Sequence, residues 1–185
     1  MGFLRIIAGE LGGRRIRTPR GSRVRPTAER VREALFSILG GRVAGARVLD
    51  AFAGTGALGL EALSRGARQV VFVESSAQVL SLLRDNAESL GLAGSSEIVR
   101  ADAVAALASG LVRGPFDLIL ADPPYDSAQA HRFLEGVDRQ ACLSPGGLLV
   151  LERPASAADV PPGMARLRHA RTARYGDTRL EFYSS

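Results

Sequence analysis

None of the 24 basic residues in this 185-residue chain is a lysine. All are arginine, so every positive side chain is a planar guanidinium that can meet a phosphate or carboxylate with two parallel donors. Cysteine is almost missing as well: Cys142 stands alone, which excludes an internal disulfide and a thiolate zinc site. His131 and His169 have no metal-ligand spacing, and no metal is expected. Apolar runs near the start, such as Ile6-Ile7-Ala8, are too short for a secretory signal or a membrane span, which predicts a cytoplasmic protein with no membrane partner. There is no internal repeat and no low-complexity stretch.

What the chain does contain fits one globular α/β domain: 185 residues with 46% hydrophobic content can bury a full core. The net charge of +5 is unevenly spread. Residues 1–32 hold nine Arg against Glu10 and Glu29, residues 33–162 hold ten Arg against 15 acids, and the remainder holds five Arg against Asp177 and Glu181. A codon preference for arginine would act everywhere, whereas this surplus sits at the two ends. Localised guanidinium groups are the electrostatic footprint of a phosphate-bearing partner. Residues 1–26, with Gly12-Gly13 between an apolar stretch and an Arg-rich one, read as a basic β-hairpin arm that grips RNA. The remainder, 27–185, reads as the main domain.

The chain is organised around Phe116-Asp117-Leu118-Ile119-Leu120-Ala121-Asp122-Pro123-Pro124-Tyr125. Its apolar run predicts a strand buried on both faces, ended by two prolines that remove backbone donors. In an open parallel sheet the carboxyl end of a strand is where ligands bind. There Asp122 can accept two hydrogen bonds, the proline pair stiffens the backbone carbonyls, and Tyr125 offers a flat aromatic face. Together they suit a planar group bearing an exocyclic amine. Asp-Pro-Pro also suits an ordinary turn, so the motif needs support from elsewhere.

That support lies upstream. Thr27 to Leu39 predicts a helix, then Arg47 to Asp50 a strand, Ala51 to Gly59 a glycine loop running into a helix, and Gln69 to Val73 a second strand ending in Glu74. Glycines allow close backbone approach, the helix start presents free N–H groups, and an acid about 20 residues on can accept both hydroxyls of a ribose. Gly54, Gly56 and Gly59 also fit the letters of a dinucleotide fingerprint. Asp50 argues against it, because a negative charge beside the loop repels a pyrophosphate and suits a cationic amino group such as that of a methionine moiety. Ala77 to Leu90 predicts a helix and Ser95 to Arg100 a strand. Asp102 then either reads an adenine amino group or caps the helix starting at Ala103. Ser127 to Arg139 predicts a helix and Gly147 to Glu152 a strand. Ala165 to Thr172 and Thr178 to Tyr183 predict an antiparallel hairpin.

Taken in order, Arg5-Ile6-Ile7-Ala8-Gly9, Arg25-Pro26-Thr27 with Arg30, Arg32-Glu33-Ala34-Leu35-Phe36, Asp50 to Gly59, Asp122-Pro123-Pro124-Tyr125 and Tyr175-Gly176-Asp177-Thr178 resemble the Rossmann-like methyltransferases that use S-adenosylmethionine. Within them the pattern is similar to the bacterial RsmD-type enzymes that methylate a guanine amino group of 16S ribosomal RNA. The resemblance covers nearly the whole chain. It implies a seven-stranded, mostly parallel sheet with an antiparallel carboxyl-terminal hairpin and a basic amino-terminal hairpin. By the same resemblance, Asp50, Ala51, Phe52, Gly54, Thr55 and Gly56 hold the methionine part of S-adenosylmethionine, Glu74 the ribose, and Asp102 with Ala103 the adenine. Arg25 and Thr27 complete the cofactor set, and Asp122, Pro123, Pro124 and Tyr125 hold the base. Arg14, Arg15, Arg17, Arg23 and Arg30 face RNA. The implied partner is 16S ribosomal RNA, within the 30S subunit or a late assembly intermediate, met by a monomer without a metal. The Asp-Pro-Pro-Tyr motif is shared with adenine-N6 methyltransferases, while the Arg-Pro-Thr segment is the narrower marker. A non-catalytic RNA-binding assembly factor on the same fold and a nucleotide-dependent oxidoreductase are the other readings weighed.

Overall fold

The computed structural model describes residues 2–19, 26–124, 127–158 and 164–185. Among these, five helices pack on a seven-stranded sheet, and a two-stranded hairpin stands apart from it.

The hairpin pairs β1 (Gly2–Arg5) with β2 (Arg15–Thr18) in antiparallel register, Phe3 opposite Arg17 and Leu4 opposite Ile16. In β2 the alternation is clear: Ile16 and Thr18 are buried while Arg15 and Arg17 are exposed. The period-two pattern of a strand thus puts an apolar side chain inward and guanidinium groups outward. Beyond the hairpin, α1 (Pro26–Leu39) leads to β3 (Arg47–Asp50), α2 (Ala57–Ser64), β4 (Gln69–Glu74), α3 (Ala77–Ser89), β5 (Ser96–Arg100) and α4 (Ala103–Ala108). Then follow β6 (Phe116–Ala121), α5 (Ser127–Gln140), β7 (Leu143–Pro154), β8 (Arg168–Tyr175) and β9 (Thr178–Ser184).

The sheet order is β5-β4-β3-β6-β7-β9-β8. Strands β3 to β7 are parallel, and β9 runs antiparallel to both β7 and β8. Successive strands step from β3 outward to β5, then β6 returns to the other side of β3. The carboxyl ends of β3 and β6 therefore flank a topological switch point, the crevice in which open α/β sheets bind ligands.

Alternate residues feed two cores. On one face Val48, Phe72, Leu118, Leu120 and Val150 pack with Leu35 and Phe36 of α1, Leu60 of α2 and Leu83 of α3. On the other, Leu49, Val71, Ile119 and Leu151 meet Leu107 of α4 and Phe133 of α5. Both faces of β6 are filled, as its unbroken apolar run demands.

Two boundaries differ from the sequence expectation. Strand β7 begins at Leu143 rather than Gly147, because Leu143 already pairs with Phe116; the register then shifts before Leu118 meets Leu148, so the glycines lie within an irregular stretch of the strand. The hairpin strand β8 begins at Arg168 rather than Ala165 and continues to Tyr175. The backbone N–H groups of Ala165, Arg166 and Leu167 all donate to the Asp138 carboxylate, at 2.9, 2.7 and 2.7 Å, and so are withdrawn from the ladder.

The arm is fastened by buried polar side chains of α2. Glu61, fully buried, accepts from the backbone N–H groups of Ile7 (2.7 Å) and Ala8 (3.1 Å) and pairs with Arg65 at 2.7 Å. The Ser64 hydroxyl donates to the Ala8 carbonyl at 2.6 Å and accepts from the Leu11 N–H at 3.0 Å. Gly9 sits where a β-carbon would fall 1.9 Å from the Ser64 carbonyl oxygen, with φ of +85°.

Candidate active site

The glycine loop is built from beneath. Asp50, at the end of β3 and 1% exposed, accepts from the Gly59 N–H at 2.8 Å through Oδ2. Its Oδ1 is buried without a hydrogen-bond partner. Burial raises the carboxyl to about 7, with a smaller push from the Asp122 and Glu74 charges and an opposing pull from the Gly59 N–H. Gly56 caps α2 at φ of +87°, and a β-carbon there would meet Leu83 Cδ1 at 2.3 Å. A left-handed turn and tight packing both require glycine. Thr55 is tied by its carbonyl, which accepts from Asn86 Nδ2 at 3.1 Å.

Beside the loop, Glu74 accepts from the Gly54 N–H at 3.0 Å and from the Ser76 N–H at 2.7 Å. The carboxylate thereby joins the tip of β4 to the loop after β3. Asp102 serves two partners with its two oxygens: Oδ1 caps α4 by accepting from the Ala105 N–H at 2.9 Å, and Oδ2 accepts from Gln129 Nε2 at 3.3 Å. The cap is the local alternative that the sequence left open, and it occupies only one side of the carboxylate.

A cavity of about 310 Å³ brings these ends together. Ala51 and Phe52 line it from β3, Glu74 from β4, Asp102 and Ala103 from β5 and α4, and Asp122 and Pro124 from β6. Phe52 is braced edge-on against Phe133 of α5, with ring centroids 5.3 Å apart. Asp122 opens to solvent at this cleft, yet the protein around the rest of it raises its carboxyl to about 6. Pro123 is buried and Pro124 exposed.

The expected residues divide accordingly. Ala51, Phe52, Glu74, Asp102, Ala103, Asp122 and Pro124 share one cavity. Asp50 does not line it and anchors the loop from below, so the expectation of a charge facing a cationic group falls on a buried support. Gly54, Thr55 and Gly56 form the loop without lining the cavity. Arg23, Arg25 and Tyr125 lie outside the described residues, and Thr27 is described only as part of α1. Arg30 is exposed on α1. Arg14, Arg15 and Arg17 are exposed on the arm and, with Phe3 and Ser89, line a second cavity of about 400 Å³. There the Arg15 guanidinium stands 5.5 Å from the centroid of the Phe3 ring. Sequence reasoning missed Asn86, Glu61 and Gln129, polar residues whose partners are distant in the chain. No group of three or more His, Cys, Asp or Glu is arranged to hold a metal among the described residues, and no helix there is long and apolar enough to cross a membrane.

A switch-point crevice with an acid at the tip of β4, a capping acid after β5 and Asp-Pro-Pro after β6 defines the Rossmann-like methyltransferase class. Within it, the chain belongs to the family described as Conserved hypothetical protein 95, whose family model matches residues 4–184. It is similar to Ribosomal RNA small subunit methyltransferase D of Escherichia coli (strain K12), 36% identical over 152 residues, covering 82% of this chain and 75% of the relative. The protein of the same name from Haemophilus influenzae is 33% identical, covering 82% of this chain and 79% of its own length. Among solved structures, yhhF from Escherichia coli superposes with a TM-score of 0.87 at 33% identity, over 99% of this chain and 98% of that one. An RNA methyltransferase from Salinibacter ruber, solved with S-adenosyl-L-homocysteine, shares the fold at 18% identity and a TM-score of 0.65, over 86% of this chain and 93% of that one.

Proposed function

We propose that this chain transfers a methyl group from S-adenosylmethionine to the exocyclic N2 amine of a guanine in 16S ribosomal RNA, acting as a monomer on the 30S subunit or a late assembly intermediate. The observation that carries the reading is the position of Asp122-Pro123-Pro124 at the carboxyl end of β6, opening onto the same cavity as Glu74 and Asp102. The family and the names of its ribosomal RNA-modifying members support the substrate class.

The donor set fits the cofactor. A carboxylate at Glu74 suits a ribose diol, Oδ2 of Asp102, which among the described residues accepts only from Gln129 at 3.3 Å, suits an adenine amine, and Phe52 offers an apolar wall. The cofactor supplies a methyl group already activated by a positive sulfur, so no further electrophile is needed. What the chain contributes is positioning. An amine conjugated to a purine ring is a weak nucleophile; Asp122 and the Pro123 carbonyl accept its N–H groups, localise its lone pair and fix its direction. The target base must leave its stack to reach them, and Tyr125 is assigned to stack on it. The arm arginines Arg14, Arg15 and Arg17, with Arg23 and Arg30, are assigned to the phosphates that flank the base.

The test uses purified protein, labelled S-adenosylmethionine and small ribosomal subunits from cells lacking the modification, followed by digestion to nucleosides and mass spectrometry. Label in N2-methylguanosine is the expected result. Label in N6-methyladenosine would overturn the base assignment, and cofactor binding without label would turn the reading to a non-catalytic assembly role.

A further inference from the structure

Asp122 has a carboxyl neighbour that the reading above does not use. In the parallel pairing of β6 with β7, Leu120 lies opposite Val150 and Ala121 opposite Leu151. Continuing that register by one residue brings Asp122 level with Glu152, whose carboxyl feels the Asp122 charge. Leu118, Leu120 and Val150 belong to one core cluster, so Asp122 and Glu152 continue that same face of the sheet at its carboxyl end.

Glu152 is half-buried and held in unfavourable company. Across β9 its register partner is Leu180, which is fully buried, and the next residue on its own strand, Arg153, pairs with Glu181 at 3.6 Å. Among the described residues no hydrogen bond or ion pair reaches the Glu152 carboxyl. Burial first, and the Asp122 charge second, raise it to about 8. Two neighbouring carboxyls without a shared cation cost stability, and one of them, Asp122, lines the cleft, which makes its neighbour a candidate for ligand contact.

The sheet order indicates which ligand. The cofactor-side residues Ala51, Glu74 and Asp102 follow β3, β4 and β5, all on one side of β6. Glu152 lies near the carboxyl end of β7, on the other side, from which an acceptor base must approach if the cofactor occupies the first. Guanine presents its N2 amine beside N1–H, two neighbouring donors; adenine presents its N6 amine beside a bare N1, an acceptor. Asp-Pro-Pro alone grips an amine and so cannot tell the two bases apart. We propose that Glu152 is a specificity-determining residue that accepts the N1–H of the target guanine while Asp122 holds the N2 amine. This rests on the reading of the chain as a guanine-N2 methyltransferase. Either protonation state of the carboxyl leaves an oxygen free to accept.

The test compares small-subunit RNA carrying guanine at the target with the same RNA carrying 2-aminopurine, which keeps the N2 amine and lacks N1–H. The wild-type protein is expected to prefer guanine in kcat/KM by about 2- to 10-fold, the range for a lost hydrogen bond between neutral groups. Glu152→Ala is expected to bring guanine down to near the 2-aminopurine rate and leave 2-aminopurine almost unchanged, while Glu152→Gln, which keeps a carbonyl acceptor, retains most of the preference. S-adenosylhomocysteine affinity, measured by calorimetry, serves as the folding control and stays at the wild-type value. Equal losses on both substrates, with the preference intact, would overturn the proposal. A wild-type protein that leaves guanine unlabelled overturns the underlying reading instead, before any variant is made.

Discussion

Asn86 grips the backbone of Arg17 at both ends of its amide: Oδ1 accepts from the Arg17 N–H at 2.9 Å and Nδ2 donates to the Arg17 carbonyl at 3.0 Å. The same Nδ2 reaches the Thr55 carbonyl at 3.1 Å, so one fully buried side chain on α3 joins the basic arm to the glycine loop. Asn86→Leu leaves three backbone groups without their partner, and the expected loss is about 2–4 kcal/mol. Urea denaturation at constant slope checks it; a loss below about 1 kcal/mol would show that solvent or rearrangement replaces the amide.

Asp122→Ala is expected to abolish methyl transfer while S-adenosylhomocysteine still binds, since Glu74, Asp102 and Phe52 are untouched. Wild-type turnover should fall as pH drops through about 6, where the carboxyl protonates and becomes a weaker acceptor for the amine. Single-turnover rates across that range, beside calorimetry on the variant, test both parts. Retained turnover in the variant would remove Asp122 from the site.

Stability should decline toward alkaline pH. Burial raises Asp122 to about 6, Asp50 to about 7 and Glu152 to about 8. Between an ordinary carboxyl value of about 4 and these folded values, the native state holds more protons than the unfolded chain, so stability is lost as pH rises through them. The buried Asp50 should dominate, because water screens the open side of Asp122. Asp117 and Asp138 work in the opposite sense: backbone N–H donors hold both carboxyls low, and that stability is lost only in acid. Urea midpoints should therefore be higher near about pH 5 than near about pH 9, and a flat profile would contradict the burial of these acids.

Replacing Arg14 and Arg15 together with Ala should weaken RNA binding and reduce the slope of log affinity against log salt by roughly one to two units. Filter binding at several salt concentrations reads this directly. An unchanged slope would mean that the two guanidinium groups contact no phosphate.

Much of this site was legible because its signals are local. The apolar run before Asp122 predicts a strand buried on both faces, and β6 is one; Glu74 follows the glycine loop at the spacing that a strand, turn and helix impose. The position of Asp102 before Ala103 offered a helix cap beside an adenine contact, and the cap is present. What stayed hidden depends on partners far along the chain. Glu61 reads as an ordinary acid within a helix until Ile7 and Ala8 arrive from 54 and 53 residues away. Asp50 was legible as an acid beside the loop but not as one beneath it, because a strand-end side chain's direction depends on the helix packed over it. Glu152 looked like the end of a strand, since only the β6–β7 register, continued by one residue, brings it level with Asp122.

The fit of Gly9 against Ser64 bears on how this chain can vary through descent. The atom that a β-carbon at position 9 would strike is a main-chain carbonyl oxygen, present whatever residue stands at 64. No compensating change at position 64 can make room. A lineage can therefore change the exposed arginines of the arm without disturbing its seat on α2, whereas any substitution at position 9 displaces the arm itself.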